Sequence, residues 1–276
     1  VAAGGRWGVS VFSFSDLAFM GAVGESAALW TPAQITTALW LDAADASTIT
    51  TISGAVSQWN DKSGNGRNVG QAAAGARPTY VQSGLNGRGT ISFNGSSAYL
   101  ERVGSYLSTN WTCVVAGINN TVTGTPVFVA QSSTLNSQPR WQLDRDSTNA
   151  RQLHRNDAGT IIFPSQAGHT AASFLQVSTN DGSLIGVSLN GATLTTASSI
   201  TGSFSTNRLT IGGLYAGSTT VAPASRLNGQ IAEFVYVANM LTASDREKLE
   251  GYIAHKWGLT VKLPSNHPYK AAAPTV

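Results

Sequence analysis

The side chains best equipped for chemistry lie close together in Arg140-Trp141-Gln142-Leu143-Asp144-Arg145 and Arg151-Gln152-Leu153-His154-Arg155. Guanidinium forks bind carboxylates and sulfates through paired N–H donors, and an indole face stacks on the C–H surface of a sugar ring. Arg140, Trp141, Arg145, Arg151, His154 and Arg155 are therefore the candidate ligand set, and an acidic polysaccharide is the ligand they predict. The competing arrangement keeps Trp141 and Leu143 in the core and pairs the arginines with Asp144, Asp146 and Asp157.

Hydrolytic chemistry has less to work with. Cutting a glycosidic bond takes two carboxyl groups about 5–5.5 Å or 6.5–9.5 Å apart. Asp144 and Asp146 are the close pair on a predicted strand, where i and i+2 share a face, and two solvated carboxylates beside Arg145 explain them as well. Glu101 and Glu233 stand alone, the four histidines are scattered, and no Gly-x-Ser-x-Gly elbow occurs. Cys113 sits inside the apolar run 111–118 and reads as a buried, inert thiol. With no phosphate-binding glycine loop either, the expectation is a protein that is not an enzyme and takes no nucleotide.

Calcium is the one cofactor the residues suggest. Asp61-x-Ser63-x-Asn65-Gly66 resembles the first half of an EF-hand loop, but the twelfth position is Ala72 where a bidentate Glu is needed. Asp42, Asp45 and Asp61 could still converge with backbone carbonyls at a loop end. Alternatively these side chains fix turns through their own backbone.

Composition bounds the partners. Among 276 residues, 17 Lys and Arg oppose 14 Asp and Glu, a net charge of +3, which is far from the dense basic balance of nucleic-acid binders. Only 11% of residues are charged while glycines number 29, so solubility rests on hydroxyls and amides, as suits short strands joined by tight turns. No apolar run approaches the ~18–20 residues that cross a bilayer, so membrane insertion is not expected. The first 30 residues lack the pattern of a secretory signal, and a start on Val implies processing or trimming.

These side chains have to be positioned by strands. Between Leu39 and Ala238, short apolar runs are punctuated by Asn-Gly, Asp-Gly and Gly-Gly steps. Strands are predicted at 90–93, 98–101, 112–118, 127–131, 141–143, 152–155, 174–179, 185–189, 209–211 and 231–237. The Asn190-Gly191 step predicts a type I′ hairpin to 193–196. Thr31-Pro32-Ala33 predicts an N-capped short helix through Ala38. Thr242-Ala243-Ser244-Asp245 followed by Leu249, Ile253 and Trp257 predicts an amphipathic helix over 243–257, stopped at Gly258. The alternating stretch 9–19 predicts a strand. Residues 1–30 then form an N-terminal appendage or assembly strand, and 31–276 one domain.

The ordered motifs resemble a known family. Trp40-Leu41-Asp42-Ala43-Ala44-Asp45, Trp59-Asn60-Asp61-Lys62-Ser63-Gly64-Asn65-Gly66, Arg77-Pro78-Thr79-Tyr80, Phe93-Asn94-Gly95…Tyr99-Leu100, Val187-Ser188-Leu189-Asn190-Gly191, Ile211-Gly212-Gly213 and Leu227-Asn228-Gly229-Gln230-Ile231-Ala232-Glu233 are similar, in order, to the laminin G-like branch of the concanavalin A-like lectin/glucanase superfamily. The resemblance covers about Leu39 to Tyr269. It implies an all-β, two-sheet antiparallel jelly-roll sandwich with a short N-terminal and a C-terminal amphipathic helix. The Glu-x-Asp-x-x-Glu strand of the family's retaining glucanases does not occur here. The Trp257–Tyr269 tail looks like that of bacterial surface proteins and phage fibre, spike or decoration proteins. The function implied is a non-catalytic adhesion module at a virion surface or outside the cell, binding cell-surface polysaccharide. A purely structural component contacting other virion or surface proteins, as an oligomer, is the alternative, with a glycoside hydrolase ranked behind both.

Overall fold

The computed structural model describes residues 27–276 apart from 107, 122, 138, 147, 219 and 222–224; the strand expected at 9–19 lies outside them. The first strands are β1 (Leu39–Asp42), β2 (Ile49–Ile52), β3 (Ala55–Trp59), β4 (Val69–Gly70), β5 (Thr79–Leu85) and β6 (Arg88–Asn94). Next come β7 (Leu100–Val103), β8 (Trp111–Asn119), β9 (Val127–Ser132), β10 (Arg140–Asp146), β11 (Asn149–Arg155) and β12 (Ile161–Ile162). The last are β13 (Ser165–Ala167), β14 (Ser173–Asn180), β15 (Leu184–Leu189), β16 (Thr195–Ser198), β17 (Arg208–Ile211) and β18 (Asn228–Val237), followed by helix α1 (Ala243–Lys256).

All pairings between these strands are antiparallel. One run is built on β18, which pairs β6 and β1 along one edge and β8 along the other; β14, β15 and β16 follow β8. The other runs β4–β7–β17–β9–β10–β11, ending on β12 and β13. β3 bonds both β4 and β5, so the hydrogen bonding is one continuous network among the described residues rather than two separate sheets.

β8 shows why its sequence lacks alternation: it is covered on both faces. Trp111, Cys113 and Val115 enter a large core with Leu41, Phe93, Val129, Trp141, Ile211 and Phe234. Val114 and Ala116 face the other way, into a second core with Leu175, Val177, Val235 and the helix residues Leu249, Ile253 and Trp257. Burial pushes the Cys113 thiol well above its usual pKa, as an inert thiol requires.

The helix starts and stops as expected. Thr242 accepts from the Asp245 N–H at 3.1 Å, and Gly258 takes φ +69° at the end. The expected N-terminal helix is shorter than predicted. Thr31 and Gln34 make a capping box, but Ile35 is already extended, so only a 3₁₀ turn over Pro32–Gln34 forms. With no apolar stripe beyond it, such a nucleus has nothing to propagate for.

Asn190 (φ 55°) and Gly191 (φ 74°) form the predicted turn. A Cβ on Gly191 would lie 2.7 Å from Leu263 Cδ2 and 3.0 Å from His267 Cδ2, so the turn is also the seat of the C-terminal tail. Gly191→Ala is expected to cost about 1–2 kcal/mol, from the left-handed conformation alone. An unchanged urea midpoint would rule this out.

Candidate functional site: an aromatic-floored cleft

β10 and β11 form the hairpin the sequence predicts, and its register sorts the candidate ligand set. Directly opposed pairs are Arg140 with Arg155, Trp141 with His154, and Asp144 with Arg151. Side chains alternate along a strand, so Trp141, Leu143, Arg145 and His154 share one face while Arg140, Asp144, Arg151 and Arg155 share the other. The six residues expected to form one site are split between two faces.

Two of them leave the ligand set altogether. Arg145 is fully buried and donates to the Thr123 carbonyl at 3.2 Å. Arg151 is spent on Asp144, with both of its contacts at 2.8 Å, and reaches Asp146 at 3.4 Å. Burial raises the Asp144 pKa and the Arg151 guanidinium counteracts it, while Gln142 adds a short hydrogen bond. The carboxylate pair considered for hydrolysis is thus an ion pair with its own arginine.

Trp141 and His154 form the floor of a cleft of about 470 Å³, together with Trp111 and Asn180. The Trp111 and Trp141 rings meet edge to face at 4.9 Å, and His154 stacks on Trp111 at 5.8 Å. Ser105, Ser108, Thr109, Gly182 and the segment from Ser199 to Phe204 supply the walls. The lining carries hydroxyls, amides, backbone and rings, and among the described residues no Asp, Glu, Lys or Arg. Burial lowers the His154 pKa to about 3, so the ring is neutral. Gln152 Nε2 donates to the Thr179 carbonyl and lies 2.9 Å from His154 Nε2; an amide nitrogen only donates, so the imidazole proton is on Nδ1. Trp141 Nε1–H is buried without an acceptor among the described residues.

Sequence reasoning missed the walls. The stretch from Ser199 to Phe204 belongs to no strand and carries no motif, and it reaches the site because β15 and β16 deliver it there. Trp111 reads as core from its apolar context, and it is core on one side and floor on the other.

The three aspartates considered for calcium do not form a metal cage. Lys62 Nζ sits 2.9 Å from both Asp42 and Asp45, and Lys256 Nζ is 2.6 Å from Asp42. Asp61 accepts from the backbone N–H groups of Trp40, Ser63 and Arg67 and from the Ser63 hydroxyl. The positions a cation would take are held by ammonium groups, so these residues do not fit the ion. Among the described residues, no group of three or more His, Cys, Asp or Glu is arranged to hold a metal.

Through Lys256, Asp42 also belongs to a knot under the helix. Glu233, fully buried, accepts from Trp40 Nε1 at 2.7 Å, Trp257 Nε1 at 2.6 Å and Tyr252 Oη at 3.1 Å, and pairs with Lys256 at 2.8 Å. A bulge in β18 around Ala232 turns Glu233 toward α1. Burial pushes its pKa up and Lys256 opposes that.

The chain matches no protein-family model. No curated protein matches it either. Among solved structures, the botulinum neurotoxin type G receptor binding domain is similar with a TM-score of 0.56 and 12% identity, over 78% of this chain and 51% of that one. The CBM40 of the Ruminococcus gnavus IT-sialidase, bound to α2,3 sialyllactose, is similar with a TM-score of 0.45 and 14% identity, over 50% of this chain and 80% of that one. The NanB sialidase of Streptococcus pneumoniae gives a TM-score of 0.47 at 11% identity, over 56% of this chain and 26% of that one. The chain thus spans about half of the botulinum domain and about a quarter of NanB. At 12% identity the botulinum likeness is one of fold.

Proposed function

We propose that the chain is a non-catalytic glycan-recognition module that binds an uncharged stretch of a surface polysaccharide in the cleft floored by Trp111, Trp141 and His154. The carrying observation is the lining: rings and hydroxyls around a volume typical of small-ligand sites, with no ionised side chain among the described residues. Sugar rings offer C–H faces to aromatics and hydroxyls to polar walls, which is what this cleft presents. The carboxylates support the non-catalytic reading, because Asp144, Glu101 and Glu233 are each engaged with a cation or a phenol elsewhere. In this reading the two strand runs face each other as a jelly-roll sandwich of the laminin G-like kind. Support comes from the large core, to which β1, β6, β8 and β18 of one run and β9, β10 and β17 of the other all contribute. The family resemblance of the motifs and of the Trp257–Tyr269 tail supports display on a phage-like particle or a bacterial surface.

The test is a neutral-glycan array with the purified chain and with Phe204→Ala, whose half-buried ring stands in the wall. Affinity is expected to fall roughly three- to tenfold in the variant. Binding that ignores this substitution would move the site elsewhere, and no glycan binding by the folded protein would end the reading.

A further inference from the structure

The opposite face of the same hairpin carries a second feature. Arg208 on β17 lies opposite Ser132 on β9, Ser132 opposite Arg140 on β10, Arg140 opposite Arg155 on β11, and Arg155 opposite Ile161 on β12. This is one continuous cross-strand row, and residues directly opposed share a face. The outer cations near it are compensated: Arg208 lies 3.6 Å from Glu101, and Arg151 is paired with Asp144 and Asp146.

Arg140 and Arg155 are not compensated. Arg140 Nη1 donates to the Ser137 carbonyl at 3.1 Å, and the Arg155 side chain has no hydrogen bond or ion pair among the described residues. The Nε–H of each is shut off from water with no acceptor. Burial, and then the charge of Arg155, lowers the Arg140 pKa, as expected of neighbouring like charges. Two guanidinium groups facing each other on neighbouring strands, about 5 Å apart at Cβ, repel unless an anion lies between them.

We propose that Arg140 and Arg155 form a clamp for one carboxylate or sulfate group of an acidic glycan, a site separate from the cleft on the other face. The Nη–H groups of the two half-buried arginines, apart from the one that Ser137 takes, supply the charge-assisted hydrogen bonds an oxyanion takes. Ile161 (44% exposed), directly opposite Arg155, offers apolar surface to a sugar ring. A nucleic acid would need a longer track of free cations than these two.

The experiment titrates the full chain with a sulfated heparin hexasaccharide, an oligogalacturonate, a neutral maltohexaose and single-stranded DNA, at low and moderate salt. Saturable, salt-sensitive binding of the sulfated or the carboxylated sugar is expected, and which of the two binds identifies the anion. Arg140→Gln/Arg155→Gln should lose roughly tenfold or more in affinity, and Phe204→Ala should leave this binding intact. Without ligand, Arg155→Gln should raise the unfolding midpoint by about 1–3 °C through relief of the repulsion. The clamp is overturned if neither acidic glycan binds, if the double variant binds as well as the parent, if DNA binds more tightly than both sugars, or if Arg155→Gln lowers the midpoint. Loss of neutral-glycan binding in Phe204→Ala bears on the cleft alone.

Discussion

Lys256→Met is expected to destabilise the fold by about 3–5 kcal/mol, the usual result of removing one partner from a buried ion pair. Lys256 Nζ touches Asp42 at 2.6 Å, Glu233 at 2.8 Å and the Tyr252 hydroxyl at 3.0 Å. Methionine fills the space and leaves the buried Glu233 carboxyl against two indoles and a phenol, without its cation. Asp42 keeps Lys62, so the damage centres on Glu233. Adding Glu233→Gln should recover part of the loss. There is no longer a charge to neutralise, but Trp40 and Trp257 donate to different carboxylate oxygens, so the single amide oxygen keeps one of these N–H groups and the NH2 faces the other. Urea denaturation of the parent, the single and the double variant measures this. A single variant within 1 kcal/mol of the parent would mean that the ion pair contributes little beyond its hydrophobic isostere.

The second large effect is on pH. Burial lowers the His154 pKa to about 3 and the His169 pKa to about 4, against about 6.5 in an unfolded chain. The folded state therefore refuses protons that the unfolded state accepts as pH falls below 6.5. Stability from these groups is complete above that pH and drains away as pH falls toward 4 and then 3, at up to about 1.4 kcal/mol per pH unit for each ring. Between pH 6.5 and 5 the two together amount to about 3 kcal/mol. His169 stacks on Phe128 and tilts against Phe174, and neither ring nitrogen meets a hydrogen-bond partner among the described residues. His169→Leu should therefore remove about half of the acid sensitivity in this window. Asp144 and Glu233, whose pKa values burial raises, work in the opposite sense at lower pH. Comparing parent and variant at pH 7 and pH 5 isolates the histidine. Equal slopes in the two proteins would refute the assignment.

Much of the fold was legible because its signals are local. All ten strands marked by short apolar runs are present within a few residues, as are the turn at Asn190-Gly191 and the helix from Thr242. β2 and β5 were not legible: their side chains are mostly exposed or half-buried, so Thr50, Thr51 and Gln82 carry no pattern of hydrophobicity. The hairpin of β10 and β11 was legible in place but was read as a single surface. Period-two alternation already separates Arg140 from Trp141, and treating six residues as one site merged its two faces. Asp42, Glu233 and Lys256 were each visible as residues. Their meeting was not, since Trp40 and Glu233 are 193 positions apart and only the β1–β18 register brings them together.

That register also sets the order in which the chain can mature. β18 is the last strand in the sequence, yet β1, β6 and β8 all hydrogen-bond to it, and α1 packs behind it. During synthesis β1 waits while almost two hundred residues are made before its partner exists, and β8 spends that interval with both apolar faces short of cover. Such long-range pairing is slow and leaves sticky intermediates. A ribosome-bound chain halted before Asn228 is therefore the species most in need of a chaperone, and refolding from denaturant should be limited by docking of this one strand.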